Sequence, residues 1–334
     1  MNLDFNKASQ SFDKLSFKDR MGSIFQLFAN TFTVIGRDAD ILKPLYRMLA
    51  YNFIMISSFF YALFSIWYDL PFTFAMFAVG FLLFIYKYFY YSRQETRMSW
   101  IIYESITGNK PTYKQSVDVT KTLKSQIRKI AWMDIGMAIA NNKVKSGKGF
   151  LNTVIKYFLK GMNEVWDLVN HYLIPSVAID KLDIKPAIEE MKTLKDRVPE
   201  TLLGVFGIDF LGKVVTKVVA PVYTVLILIS IGAGIYFHEY MPSYELSLGD
   251  SSDLPIDSIM FTWIPLVAAI YIGKLFSSYF ERIVTTVKVI YFTIFYTKIT
   301  HPQEIADDLQ EELNDYLRLD QVDKVDNLDE QDTE

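Results

Sequence analysis

Five polar residues in the last third of the chain offer the clearest chemistry. Lys274, Ser278, Glu281, Thr285 and Lys288 recur at i, i+4, i+7, i+11 and i+14, the spacing of one face of an α-helix. They begin within and run beyond an apolar stretch, Ile259 to Phe280, long enough to cross a bilayer. An ionisable residue in such a place costs about 2.5–3.5 kcal/mol and turns toward a bundle interior or water. The stripe therefore has the make-up of a pore or cavity lining, with Glu281 screening the lysines. The competing reading ends the span near Gly273 and lets Lys274 snorkel to the headgroups, leaving the others on a wet face. On the same stretch Ala269, Gly273 and Ser277 are spaced by four, and Ser230 and Gly234 repeat that spacing upstream. Small residues so placed let helix backbones approach closely.

Other chemistries find little support. There is no cysteine, which removes disulfides, thiol nucleophiles and thiolate metal sites. His171 and His238 stand alone and His301 opens a helix, none with metal-ligand spacing, so no metal and no other cofactor is expected. The acidic stretch Glu239 to Asp257 lacks the alternation and internal glycine of an EF-hand loop. Gly147-Lys148-Gly149 is too short to cradle a phosphate. No nucleophile elbow, P-loop or dinucleotide fingerprint occurs, so no catalytic residue is assigned and the chain is not read as an enzyme. Nucleic acid is not an expected partner, because no aromatic-basic recognition module is visible.

The elements around the stripe are helical. Of the 334 residues 51% are hydrophobic and 22% charged, so apolar segments alternate with wet ones. Met48 to Tyr68 holds no charge and closes on Trp67 and Tyr68, as a span ending in an aromatic belt does. The link Asp69-Leu70-Pro71 turns the chain, and Phe72 to Tyr86 returns it to Lys87, Arg93 and Arg97. Val218 to Phe237 and Ile259 to Phe280 form a second pair, the latter continuing as one long helix to Lys298. Upstream, Met21, Ile24, Phe25, Phe28, Phe32 and Ile35 mark an amphipathic helix. Between the pairs, Tyr113 to Asn141 and Phe150 to Leu173 have helical periodicity, and Leu202 to Leu211 is apolar enough to dip to an interface. In the tail Ile305, Leu309, Leu313 and Leu317 recur every four residues, and the acidic residues beyond Leu319 are expected to be disordered.

The expected fold class is thus an all-α integral membrane protein, with four transmembrane helices in two hairpins and a helical region between them. Its segments are an amphipathic N-terminus (1–47), hairpin 1 (48–91), a basic helical region (92–217), hairpin 2 with its extension (218–299) and an acidic C-terminal helix and tail (300–334). Charge fixes orientation. The Asp69 link and the His238–Asp257 loop contain no Lys or Arg, whereas Ser92–Lys217 holds 20 against 13 acidic residues. By the positive-inside rule both termini lie in the cytoplasm of a multi-pass cell (inner) membrane protein. From Gln303 onward the chain carries 13 acidic and 2 basic residues, so a basic body ends in an acidic tail.

Two stretches resemble an uncharacterised bacterial multi-pass membrane family. The first is Phe25 to Leu49, in which Ile35-Gly36-Arg37-Asp38 leads to Leu42-Lys43-Pro44 and a span. The second is Trp166-Asp167-Leu168-Val169, then Ile174-Pro175, Pro186-Ala187-Ile188 and Leu203-Gly204, similar to that family's Trp…Pro…Ala…Gly pattern. Val198-Pro199 interrupts the pattern, and the acidic tail lies outside it. The resemblance implies membrane residence and a helical fold, and it transfers no activity.

Three functional classes follow. The stripe points to a channel or pore-forming protein, and four spans per chain then require a homo-oligomer in the lipid bilayer. The basic centre and acidic tail suit a membrane scaffold that recruits cytosolic protein partners. A membrane enzyme ranks last, for want of paired catalytic groups.

Overall fold

The computed structural model describes residues 36, 38–68, 70–146, 172–193, 220–247, 258–307 and 309–310. The expected amphipathic helix at 21–35, the apolar stretch 202–211, the Trp166 motif and the acidic tail lie outside these residues.

The chain is predominantly helical and is a membrane protein. Helix α1 spans Leu42–Tyr68, α2 Thr73–Ile106, α3 Tyr113–Thr122 and α4 Lys124–Ser146. Helix α5 covers residues 172–179, α6 Ile184–Thr193 and α7 Ala220–Tyr236. Strands β1 (Tyr244–Ser247) and β2 (Ser258–Phe261) precede α8, Ile264–Thr300. Among the described residues three helices are long and apolar enough to cross a membrane: Ala39–Tyr68 with its leading turn, α2 and α8; α7 is a shorter apolar helix.

These elements sort into two compact units. One contains Met1–Met48, Tyr88–Leu211 and Ile283–Glu334; the other, the membrane unit, contains Leu49–Lys87 and Gly212–Arg282. The chain enters the membrane unit twice and returns twice. Among the described residues every exposed large apolar side chain belongs to the membrane unit except Tyr46, Trp132 and Ile283. Phe74 (89% exposed), Leu82 and Leu228 are bare on helices that bury little, a surface suited to hydrocarbon rather than water.

Inside the membrane unit several polar groups are answered locally, as a solvent without water favours. Ser58 and Ser230 donate to carbonyls one turn back, Ile54 and Leu226. Tyr51 donates to the Leu83 carbonyl at 2.6 Å, and Ser57 shares a 2.7 Å bond with Tyr271. The α1–α2 turn is closed by Ser65, which donates to Thr73 at 2.7 Å, and by Tyr61, which donates to the Pro71 carbonyl.

The second excursion differs from the expectation at its far end. Ile259 to Phe261, read as the start of a span, form β2, which pairs antiparallel with β1 from Tyr244↔Phe261 to Ser247↔Ser258. The helix starts only at Ile264, with Pro265 in its first turn where no amide partner is lost. The all-helical expectation therefore misses one short hairpin. Tyr236, Tyr240 and Trp263 form its exposed aromatic surround.

The other unit, polar at its surface, is built on the C-terminal half of α8. Every residue from Thr286 to Thr297 is buried, the mark of a helix packed on all sides. Tyr296 joins Leu123, Ile127, Ile130, Tyr172, Leu173, Val177 and Ala187 in the core. Thr293 donates to Ser99 of α2 at 2.8 Å, satisfying a buried hydroxyl pair. Helix α2 ends in a Schellman motif: Gly108 at φ 85°, Asn109 N–H to the Glu104 carbonyl, and Gly108 N–H to Ser105. Helix α3 begins in a capping box, with Thr112 and Gln115 bonded to each other's backbone amides.

Candidate functional site

The polar stripe does not lie on one body. Lys274, Ser278 and Glu281 belong to the membrane unit; Thr285 and Lys288 belong to the polar unit, where Lys288 is buried. The reason is the changed surroundings of α8, which passes from an exposed helix to an enclosed one along its length. The exposed portion is Lys274, Ser277 and Glu281, with Ser278 half-buried beside them. Glu281 pairs with the adjacent Arg282, whose side chain is mostly covered. Among the described residues Lys274 makes no hydrogen bond or ion pair. It lies ten positions after Ile264, roughly 15 Å along the helix.

The small residues hold different neighbours from one another. Ala269 and Ser230 are buried, whereas Ser277 is exposed. A Cβ on Gly273 would fall 2.2 Å from Tyr223 Cε2, and one on Gly234 would fall 2.5 Å from Phe261 Cε2 and 2.7 Å from the Thr262 carbonyl oxygen. Gly273 thus lies under α7, and Gly234 under the end of β2, where Thr262 N–H donates to the Gly234 carbonyl.

A second cluster, in the polar unit, was not legible from spacing. Tyr296 near the end of α8 donates to Asp180 and, at 3.1 Å, to Glu190. His301, just past α8, meets Asp180 Oδ1 through Nε2 at 2.9 Å and Glu304 Oε1 through Nδ1 at 3.2 Å. Tyr103 of α2 donates to the other Glu304 oxygen. Because ionised carboxylates only accept, both His301 contacts are complete when both ring nitrogens carry a proton. Burial, aided by the bonded Asp180, raises the Tyr296 phenol; burial raises the Tyr103 phenol and the Glu190 carboxyl. The Tyr103 bond holds Glu304 below the usual carboxylate range. The cluster clasps the end of α8 to α2, α6 and the residue that follows α5.

One buried group stands outside this network. Tyr172 is 4% exposed, its ring 5.2 Å from that of Tyr296, yet its hydroxyl has no hydrogen-bond partner. A groove of about 560 Å³ runs between α4 and α6, bordered by Lys129, Trp132, Met133, Ile184 and Ile188. Lys129 and Asp183 bridge it at 2.5 Å. Among the described residues no group of His, Cys, Asp and Glu is placed to hold a metal ion. No known protein family, curated protein or solved structure matches the chain.

Proposed function

We propose that the protein is an oligomeric membrane channel or pore-forming protein whose polar path is lined by the exposed face of α8: Lys274, Ser277, Ser278 and Glu281. The observation that carries this reading is Lys274, exposed in the first third of the long apolar helix α8 and without a hydrogen bond or ion pair among the described residues. Facing lipid it would cost about 2.5–3.5 kcal/mol. Facing a shared aqueous path between copies it would not. Glu281, further along the same face, supplies the opposite charge. In this reading α7 is a fourth span, both termini are cytoplasmic, and the membrane is the cell's inner membrane. The absence of Lys and Arg from the described residues of the far-end turns supports that orientation.

Reconstitution into planar bilayers tests it. The intact protein should conduct, and Lys274→Ala should change ion preference or single-channel amplitude. Silence from the wild type, or a Lys274→Ala trace indistinguishable from it, would remove the reading. A monomeric particle in detergent would count equally against it.

A second reading, a membrane scaffold that recruits cytosolic partners, has its own support. Trp132 is one of three large apolar residues exposed outside the membrane unit, and it borders the α4–α6 groove. That reading expects partners to be lost on Trp132→Ala or on removal of the residues after His301. Unchanged capture by both variants would dispose of it.

A further inference from the structure

Arg97 is an unusual cation. It is 9% exposed, and it donates through Nε to Thr120 Oγ1 at 3.0 Å and through Nη1 to the Tyr113 hydroxyl at 2.8 Å. Both acceptors are neutral and both have spent their own protons, Tyr113 on Gln94 Oε1 at 3.0 Å and Thr120 on the Ser116 carbonyl at 2.9 Å. Among the described residues no carboxylate lies within ion-pair distance of Arg97, and Nη2 makes no hydrogen bond.

A second guanidinium shares the same ring. Arg47 Cζ lies 4.5 Å from the Tyr113 centroid and Arg97 Cζ 5.6 Å from it. The Arg47 guanidinium is exposed and likewise lacks any hydrogen bond or ion pair. The nearest acid on its own stretch, Asp40, is engaged by Lys43 at 2.5 Å and by the Tyr113 amide at 2.7 Å. Arg93, one turn before Arg97 on α2, adds a third positive charge with no ion pair. Burial of a guanidinium against neutral acceptors leaves its charge uncompensated, a costly arrangement unless an anion completes it. The planar fork of arginine matches the oxygens of a phosphate.

Position narrows the source. Arg47 is followed by Met48 and then by the first residue of the membrane unit, and Tyr90, whose hydroxyl donates to the Arg47 carbonyl at 3.4 Å, follows Lys87, the last residue of its first excursion. Along the chain Arg47 therefore stands two residues before an apolar stretch, the place in a sequence where headgroups are met. We infer that Arg47 and Arg97, held on the two-acceptor platform of Tyr113 and Thr120, form a site for a phosphate group, presented there by an anionic phospholipid. Arg97 is the fixed, buried donor and Arg47 the exposed one that closes over the ligand.

The test uses the full-length protein in phosphatidylcholine nanodiscs with or without phosphatidic acid, and a third arm with inorganic phosphate added to phosphatidylcholine discs. Native mass spectrometry counts retained lipid, and thermal unfolding reports stabilisation. Phosphatidic acid should be retained in preference to phosphatidylcholine, and Arg47→Gln should weaken retention by about tenfold, the loss of one charge-assisted contact. Lys124→Gln, an exposed charge at the start of α4, should leave it unchanged. Because Arg47 is exposed, its variant keeps the fold, which the unfolding trace verifies. Equal loss from both variants would mean diffuse attraction, and no preference for phosphatidic acid would remove the site. Stabilisation by inorganic phosphate alone, abolished by Arg47→Gln, would keep the anion site but overturn the lipid as its source.

Discussion

Tyr296 and Tyr172 are core neighbours, and deletion of their hydroxyls should act in opposite directions. The Tyr296 hydroxyl donates to two carboxylates, Asp180 and Glu190. A hydrogen bond to a charged group contributes about 1.5–3 kcal/mol, and its loss strands part of a buried acceptor. Asp180 keeps His301 in the variant, so Tyr296→Phe should cost about 2 kcal/mol rather than the full sum of both bonds. The Tyr172 hydroxyl, by contrast, is buried with no partner, and its desolvation is uncompensated. Tyr172→Phe removes that burden while keeping the ring, and should stabilise by about 1 kcal/mol. For a unit of this size a change of 1 kcal/mol moves the midpoint by roughly 2–4 °C. Thermal unfolding of the purified protein in one detergent should therefore fall about 4–8 °C for Tyr296→Phe and rise about 2–4 °C for Tyr172→Phe. Amide exchange in residues 172–179 should quicken in the first and slow in the second. A Tyr172→Phe variant as destabilised as Tyr296→Phe would refute the reasoning, since it would show that the Tyr172 hydroxyl is bonded after all.

Other outcomes are equally specific. Glu190→Gln should raise the unfolding midpoint at pH 7: burial lifts the folded carboxyl above its unfolded value, so its charged form opposes folding once pH exceeds that value. The same variant should show a smaller gain near pH 4, where the native carboxyl is protonated in both states; a gain that grows on acidification would be wrong in sign. Glu304 and Asp40 run the other way, both lowered by bonded partners (Tyr103 and Lys43), so their stabilisation is present above their unfolded values and is lost as pH falls through their folded ones. Exchange at the turn Pro302–Glu304 should accordingly rise in acid. Gly234→Ala should destabilise the membrane unit by about 1–3 kcal/mol, because Phe261 and a backbone oxygen occupy the space the methyl needs. Gly136→Ala, with nothing within 4 Å on exposed α4, should instead stabilise by about 0.5–1 kcal/mol. Equal midpoints for the two alanine variants would mean that the contacts at Gly234 yield freely.

The apolar helices were legible because hydropathy and aromatic ends are local properties. Met48–Tyr68 and the return through Tyr86 need only their own residues to be recognised, as does the run of α8 to its end. The β-hairpin was not: four residues per strand, Tyr244-Glu245-Leu246-Ser247 and Ser258-Ile259-Met260-Phe261, are too short for a two-residue period to stand out. The clasp at the end of α8 was beyond reach for another reason. Tyr103, Asp180, Glu190, Tyr296, His301 and Glu304 come from four separated segments, and only packing brings them together. His301, read only as the opening of a helix, gave no sign of these contacts because its partners lie 121 residues upstream and one turn downstream.

Helix α8 shows most clearly what hydropathy measures and what it does not. Its two halves carry similar side chains, yet Phe276 is 69% exposed and Ile272 42%, while Phe292 and Ile290 are 1% and 0%. An apolar run states only that water is avoided; lipid and protein core satisfy it equally. The polar residues discriminate. In the buried half Thr293 and Thr297 are bonded back to the helix, and Thr293 also reaches across to Ser99 of α2. In the exposed half Lys274 has no hydrogen bond or ion pair among the described residues. A charge in an apolar helix therefore marks a place without saying what surrounds it. The same reasoning applies to Arg97, which as a sequence feature is one more positive charge flanking a span. Its enclosure by two neutral acceptors, Tyr113 and Thr120, turns that general signal into a specific demand for an anion.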